Sequence, residues 1–191
     1  MSEENREYII GESHMTVDKS SLSFEEAFDK LIGLTEQKDD DIIVMNIAQL
    51  EFIGKIWKNT DYSAAWKEAH SSGFMETLYK LQGHKRDFTL FIKDELMIGI
   101  EKPHTNYNPK DFDHITVPAS SWVIAFAKDG SAKDDIVELW NMVDEYMPTS
   151  EYLIDDEIPI IEKYPGGPHP IDLHLLLKPV KQNEAHHAPQ T

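Results

Sequence analysis

The order of predicted strands and helices repeats along the chain, and this repeat constrains the fold more than any other feature. The predicted strands are residues 42–48, 52–57, 88–92, 96–100, 115–126, 158–164 and 171–177. One helix starts near Tyr62, is interrupted at residues 71–73 and ends at Gly83; the other ends before Pro148. The order strand–helix–strand–strand thus occurs twice. It predicts an α+β fold, a mostly antiparallel sheet with helices on one face and a ligand cleft at the pseudo-twofold seam. We expect the other face of the sheet to be open to water or filled by ligand.

The strand that opens the second half changes its apolar phase. Apolar residues occupy odd positions at its start (Ile115, Val117) and even positions later (Trp122, Phe126). A change of parity within one strand is typical of a β-bulge, which we place near Ala119.

The composition along the chain predicts one domain with two flanking segments. Residues 1–40 form an N-terminal extension, in which Ser23 caps a short amphipathic helix. The charged run 36–41 marks the boundary to a domain at 41–181, and residues 182–191 form a flexible tail.

The charge of the chain restricts its partners. Lysine and arginine number 18 against 35 aspartates and glutamates, which gives a net charge of −17. Such a surface repels phosphates, so we expect no direct contact with nucleic acid and a preference for cationic ligands. The apolar runs are too short to cross a membrane, the first five residues do not resemble a signal peptide, and there is no cysteine. These features together predict a cytoplasmic protein without a membrane segment.

Catalytic and metal-binding patterns are missing from the sequence. No nucleophile elbow, phosphate-binding loop or dinucleotide fingerprint occurs, and a cysteine nucleophile is impossible. The nine histidines do not show the helical i, i+4 pairing of a zinc site. We therefore assign no catalytic residue, no metal ligand and no cofactor.

A carboxylate stands on the mainly apolar face of a closing strand. With a period of two, Glu162 shares that face with Ile160 and Tyr164. A buried carboxylate is costly unless it has a partner or a purpose. One interpretation is that Glu162 pairs with a lysine or arginine, or reaches solvent at a sheet edge. The other is that it is a negative anchor for a lipophilic cation inside an aromatic pocket.

Aromatic residues supply the remaining candidates for such a pocket. Most of them lie in predicted strands or loops, whereas Trp66 and Trp140 lie on helical stripes that are typical of core packing. We assign Trp140 to packing alone. The candidate ligand-binding residues are Glu162, Tyr164, Trp122, Trp57, Trp66, Tyr107 and Phe126.

Four segments of the second half resemble a known family. They are VPASSWVIAF from Val117, ELW from Glu138 with MPTSEY from Met147, IEKYP from Ile161, and LLLKPVK from Leu175. In this order and spacing they are similar to the C-terminal half of the GyrI-like, AraC-type effector-binding domain, over residues 115–181. The first half is similar in element order and in Ile98-Gly99-Ile100.

The resemblance implies a duplicated fold with a ligand pocket between the halves and a stand-alone form of the domain. It implies that Glu162 and Tyr164 contact a hydrophobic cationic ligand, and that Trp122 takes a place where the family often has tyrosine. Residues 1–40 are too short and too acidic to add a helix–turn–helix domain. Two alternatives stay open: interaction with a protein partner, as in a gyrase inhibitor, and a small hydrolase that uses pocket glutamates.

Overall fold

The computed structural model describes residues 7–10, 13–16, 22–35, 40–128, 132–166 and 173–182. Its helices are α1 (Phe24–Thr35), α2 (Tyr62–Ser71), α3 (Phe74–Gln82) and α4 (Ala132–Tyr146). Its strands are β1 (Glu7–Ile10), β2 (Ser13–Thr16), β3 (Asp40–Ile47), β4 (Leu50–Lys58), β5 (Phe88–Ile92), β6 (Glu95–Glu101), β7 (Asp113–Val117), β8 (Ser120–Lys128), β9 (Tyr152–Ile154), β10 (Ile160–Lys163) and β11 (Leu173–Gln182). Of the predicted tail, residues 183–191 lie outside the described residues.

Nine of these strands form one open antiparallel sheet. Its order is β3-β8-β11-β10-β5-β6-β4-β7, and β9 pairs with the end of β11. The pseudo-twofold seam runs between β10 and β5, because β10-β11-β8 on one side mirrors β5-β6-β4 on the other. The predicted α+β fold with two similar halves is confirmed.

The predicted long strand at 115–126 is in fact two strands, so the expected bulge near Ala119 is wrong. β7 ends at Val117 and pairs with β4 at one edge of the sheet, whereas β8 begins at Ser120 and lies between β3 and β11 near the other edge. Pro118, which separates them, has no N–H to donate to a strand ladder. The change of parity marks a change of strand.

One face of the sheet is covered by the two predicted helical regions. α4 packs on β8 and β11, while α2 and α3 pack on β6. Gly73, with a φ of 76°, separates α2 from α3 as the sequence predicts. No described helix is long and apolar enough to cross a membrane.

The opposite face carries α1, the helix that the sequence predicts within the N-terminal extension. Ser23 and Glu26 form a reciprocal capping box at its start, because each side chain accepts from the backbone N–H of the other. Phe24, Phe28 and Leu31 of α1 are buried against the strands. The face that we expected to be open or ligand-filled is therefore an apolar core under α1.

Two buried cations help to hold α1 in place. The Lys163 ammonium lies 4.8 Å from the centre of the Phe28 ring, and the Arg86 guanidinium lies 5.1 Å from the same ring. Arg86 also pairs with Glu25 of α1 at 2.6 Å. These cation–π contacts join the first helix to β10 and to the segment that precedes β5.

The Ile98-Gly99-Ile100 segment has a packing explanation. Gly99 of β6 pairs with Gly54 of β4. A Cβ on either glycine would lie 2.3 Å from a carbonyl oxygen of the other strand. Glycine is required at this crossing because no side chain fits between the backbones.

Candidate binding site

Glu162 lies at the middle of the sheet, on the face covered by α2 and α4. It is opposite Thr89 of β5 and Leu176 of β11. Its neighbours Ile161 and Lys163 point to the α1 face. Ile161 packs in the apolar core under α1, and Lys163 lies over the Phe28 ring. The alternation predicted for this strand is confirmed, and the Glu162 side chain is buried, with 3% of its surface exposed.

Three neutral donors surround the carboxylate. Oε1 accepts from the indole N–H of Trp140 on α4 at 2.6 Å. Oε2 accepts from the hydroxyl of Tyr164 and, at 3.3 Å, from that of Tyr62 on α2. The two hydroxyl groups also contact each other. Donors from both helices and from the strand end thus converge on one carboxylate at the seam.

No positive charge of the described residues forms an ion pair with Glu162. Lys178 is buried nearby with its ammonium 4.4 Å from the centre of the Trp140 ring, but it pairs with Asp144 at 2.6 Å. The described structure therefore shows neither the ion pair nor the solvent exposure that would explain Glu162 as a structural residue.

Burial changes the acidity of these groups. It raises the pKa of Glu162, and the donated hydrogen bonds from Tyr164, Trp140 and Tyr62 oppose this increase only in part. Burial, followed by the charge of Glu162, raises the pKa of Tyr62 to about 12. The pKa of Tyr164 is raised for the same two reasons. Both tyrosines keep their protons at neutral pH and remain hydrogen-bond donors.

Aromatic rings enclose the carboxylate on several sides. The Tyr62 ring stacks on Phe91 with centroids 6.0 Å apart, and Phe91 meets Trp140 edge-on at 5.8 Å. The Tyr164 ring packs edge-on against Trp66 and against a buried histidine of β11, at 5.2 Å in both cases. We call this group the Glu162 cage; it consists of Glu162, Tyr62, Trp66, Phe91, Trp140, Tyr164 and His174.

The structure brings together three of the seven residues predicted from the sequence, namely Glu162, Tyr164 and Trp66. Trp57 and Tyr107 belong to the separate core cluster under α2 and α3. There Trp57 packs on Phe74 at 6.1 Å, and Tyr107 stacks on His114 at 6.0 Å.

Trp122 and Phe126 lie on the other side of the sheet. Both are buried in the core under α1, together with Ile124. Side chains alternate along β8, so these two residues face away from Ala125. Ala125 pairs with Leu176, which pairs with Glu162, and these three residues share the other face of the sheet. The structure therefore does not bring these two residues to the Glu162 cage.

Sequence reasoning missed four members of the cage. Trp140 was assigned to packing, although its indole N–H also binds Glu162. The sequence places Tyr62 at the start of a helix and Phe91 in a strand without linking either to a pocket, and it predicts no role for His174, which is 1% exposed. Phe91 pairs with Ile160, two residues from Glu162, but alternation within β5 alone did not show this pairing.

A cavity of about 250 Å³ opens beside the cage. The residues that line it are Phe91, Lys93, Ile154, Asp155, Asp156, Ile158 and Ile160. A larger cavity of about 440 Å³ lies elsewhere, between Arg86, His84 and Glu101. Among the residues that the structure describes, no group of three or more histidines and carboxylates is arranged to hold a metal ion.

Solved structures with the same architecture exist, although no family model and no curated protein matches the sequence. The structure of SAV2435 bound to tetraphenylphosphonium has a TM-score of 0.58 and 16% identity, covering 77% of this chain and 98% of that one. The C-terminal domain of EcmrR has a TM-score of 0.54 and 15% identity, covering 75% and 98%. A transcription regulation protein of Staphylococcus aureus MU50 has a TM-score of 0.52 and 15% identity, covering 74% and 98%. At these identities the similarity shows the fold alone, and that fold is consistent with the resemblance of the sequence to GyrI-like effector-binding domains.

Proposed function

We propose that the chain binds a lipophilic cation at the Glu162 cage and acts as a sensor or sequestration module for such molecules. The observation that carries the proposal is a buried carboxylate with aromatic neighbours and three neutral donors, but no paired cation among the described residues. A carboxylate in this setting lacks a counter-ion, which a cationic ligand would supply.

The aromatic rings suit the apolar part of such a ligand. The faces of tyrosine, tryptophan and phenylalanine attract cations and pack against aryl groups. Tyr62 is the natural entrance, because 36% of its surface is exposed while its hydroxyl reaches Glu162. In this proposal the ligand displaces the Tyr62 hydroxyl and takes its place beside the carboxylate.

The charge term is large enough to measure. Two unit charges about 5 Å apart attract by about 3 kcal/mol at an effective dielectric constant of about 20. The cation loses part of its hydration on entry, so the net contribution is smaller. A loss of about 1.4 kcal/mol or more, which is tenfold in affinity, is the expected effect of removing the charge.

Similarity to solved structures supports the same ligand class. SAV2435 has this fold and was solved with tetraphenylphosphonium, which is a lipophilic cation. The net charge of −17 favours cationic ligands at long range and disfavours direct contact with DNA. We therefore propose a small-molecule ligand and not a nucleic acid.

Calorimetric titration with tetraphenylphosphonium tests the proposal. We expect Glu162→Gln, which keeps the shape and removes the charge, to weaken binding tenfold or more. Binding of neutral triphenylphosphine oxide should change less than threefold. Glu157→Gln is the matched control, because it removes an equal charge from a side chain that is 83% exposed. Equal losses in both variants would assign the effect to the overall charge, and no binding to the wild type would refute the proposal.

A further inference from the structure

A buried hydroxyl without a partner lies next to Glu162. Thr89 has 0% of its surface exposed, and its Oγ1 has no hydrogen-bond partner anywhere in the described part of the chain. An unsatisfied buried hydroxyl costs free energy and is uncommon in folded proteins. Such a group in a binding site indicates a partner that arrives with the ligand.

Strand pairing places this hydroxyl on the floor of the Glu162 cage. Thr89 is directly opposite Glu162 across the β5–β10 pair at the seam. Directly opposite residues of antiparallel strands point to the same face, with Cβ atoms about 4.5–5.5 Å apart. The next pair on this face is Phe91 and Ile160, and Phe91 belongs to the cage. By contrast, Phe88 and Leu90 point to the core under α1.

The hydrogen bonds around Glu162 show which kind of polar group a ligand would have to add. Trp140, Tyr62 and Tyr164 supply N–H and O–H groups to the carboxylate. The Thr89 hydroxyl and the Trp66 indole N–H have no hydrogen-bond partner among the described residues, and of these two only the Thr89 oxygen can accept from an incoming donor. A quaternary cation has no N–H and would leave this oxygen unsatisfied.

We propose that Thr89 makes the Glu162 cage selective for lipophilic cations that carry an N–H, namely protonated amines, over quaternary cations of the same shape. This inference rests on the proposed function and names its ligand class more narrowly. The ammonium N–H donates to Oγ1 of Thr89, and the positive charge lies against Glu162. Quaternary and phosphonium cations still bind through charge and aromatic contacts, but more weakly than the matching amine.

A matched ligand pair tests the selectivity. The probes are N,N-dimethyl-4-phenylbenzylamine, which is protonated at pH 7, and its trimethylammonium salt, which differs by one methyl group. We expect the wild type to bind the amine more tightly. In Thr89→Val the preference for the amine, measured as the ratio of the two dissociation constants, should fall about fivefold, as expected for the loss of one hydrogen bond. Thr89→Ser should keep the wild-type ratio. Thr116→Val, at an exposed position on β7, is the matched control and should also keep it.

The outcomes separate the two proposals. If the wild type binds both cations and Thr89→Val leaves their ratio unchanged, the Thr89 inference is wrong while the cation site stands. If the wild type binds neither cation, the proposed function fails, and the inference fails with it. Unfolding in urea gives a second readout, because removing an unpaired hydroxyl should not lower stability. A clearly less stable Thr89→Val protein would show that the hydroxyl is paired inside the fold, which overturns the inference.

Discussion

Replacing Trp140 with phenylalanine tests the hydrogen bond that holds the Glu162 carboxylate to α4. The change removes the indole N–H, which lies 2.6 Å from Oε1, and keeps an aromatic ring beside Phe91 and Lys178. A hydrogen bond to a charged group contributes about 1.5–3 kcal/mol. We therefore expect Trp140→Phe to lower the free energy of unfolding at pH 7 by about this amount, plus a smaller packing loss.

The pH dependence of this loss has a definite sign. Burial raises the folded-state pKa of Glu162, and the Trp140 hydrogen bond lowers it. Trp140→Phe should therefore raise that pKa further. The ionised carboxylate needs the donor most, so the destabilisation should be full above the folded-state pKa of the variant. It should shrink as the pH falls from there through the folded-state pKa of the wild type, because the protonated acid gains less from the N–H.

Urea unfolding of a double-mutant cycle isolates the hydrogen bond from the packing loss. The four proteins are the wild type, Trp140→Phe, Glu162→Gln and the double variant, each measured at several pH values. We expect a coupling free energy of about 1–2 kcal/mol at pH 7 that decreases at acid pH. A coupling below about 0.5 kcal/mol, or one that does not change with pH, would refute the hydrogen bond as a contribution to the site.

Two further predictions concern the α1 face. Trp122→Phe should lower the free energy of unfolding by about 1–3 kcal/mol because the indole is fully buried. The dissociation constant for tetraphenylphosphonium should change less than twofold. A tenfold loss of affinity without destabilisation would place Trp122 in the site. Phe28→Ala should cost about 3–5 kcal/mol or more in urea unfolding, because it removes a buried ring together with its contacts to Arg86 and Lys163; a loss below about 1 kcal/mol would mean that α1 is not packed on the sheet.

Local patterns predicted most of the fold. Alternation placed Glu162 of β10 on the same face as Tyr164, which follows that strand, and the Ser23 motif placed the start of α1. The same rules did not show which strands would pair. The parity change between Val117 and Trp122 therefore looked like a bulge, although β7 and β8 lie toward opposite edges of the sheet.

The cage was predicted only in part, because its members come from separate segments. Tyr62 and Trp140 lie 100 and 22 residues from Glu162 along the chain. Their positions depend on how α2 and α4 meet over the seam, which periodicity within one helix does not determine. Trp122 was instead predicted in the pocket and lies outside the cage. The family resemblance suggested a pocket residue, whereas its position in β8 turns the side chain toward α1.

The central claim is that an ionised Glu162 anchors a cation in the cage, and the pH dependence of tetraphenylphosphonium affinity tests it most directly. Because the folded-state pKa of Glu162 is raised, protonation begins above the ordinary range of a glutamate and removes the anchoring charge. We predict that the affinity of the wild type is highest above this pKa and falls as the pH decreases through it. The weaker affinity of Glu162→Gln should stay constant over the same range. Parallel curves for the two proteins would contradict the claim.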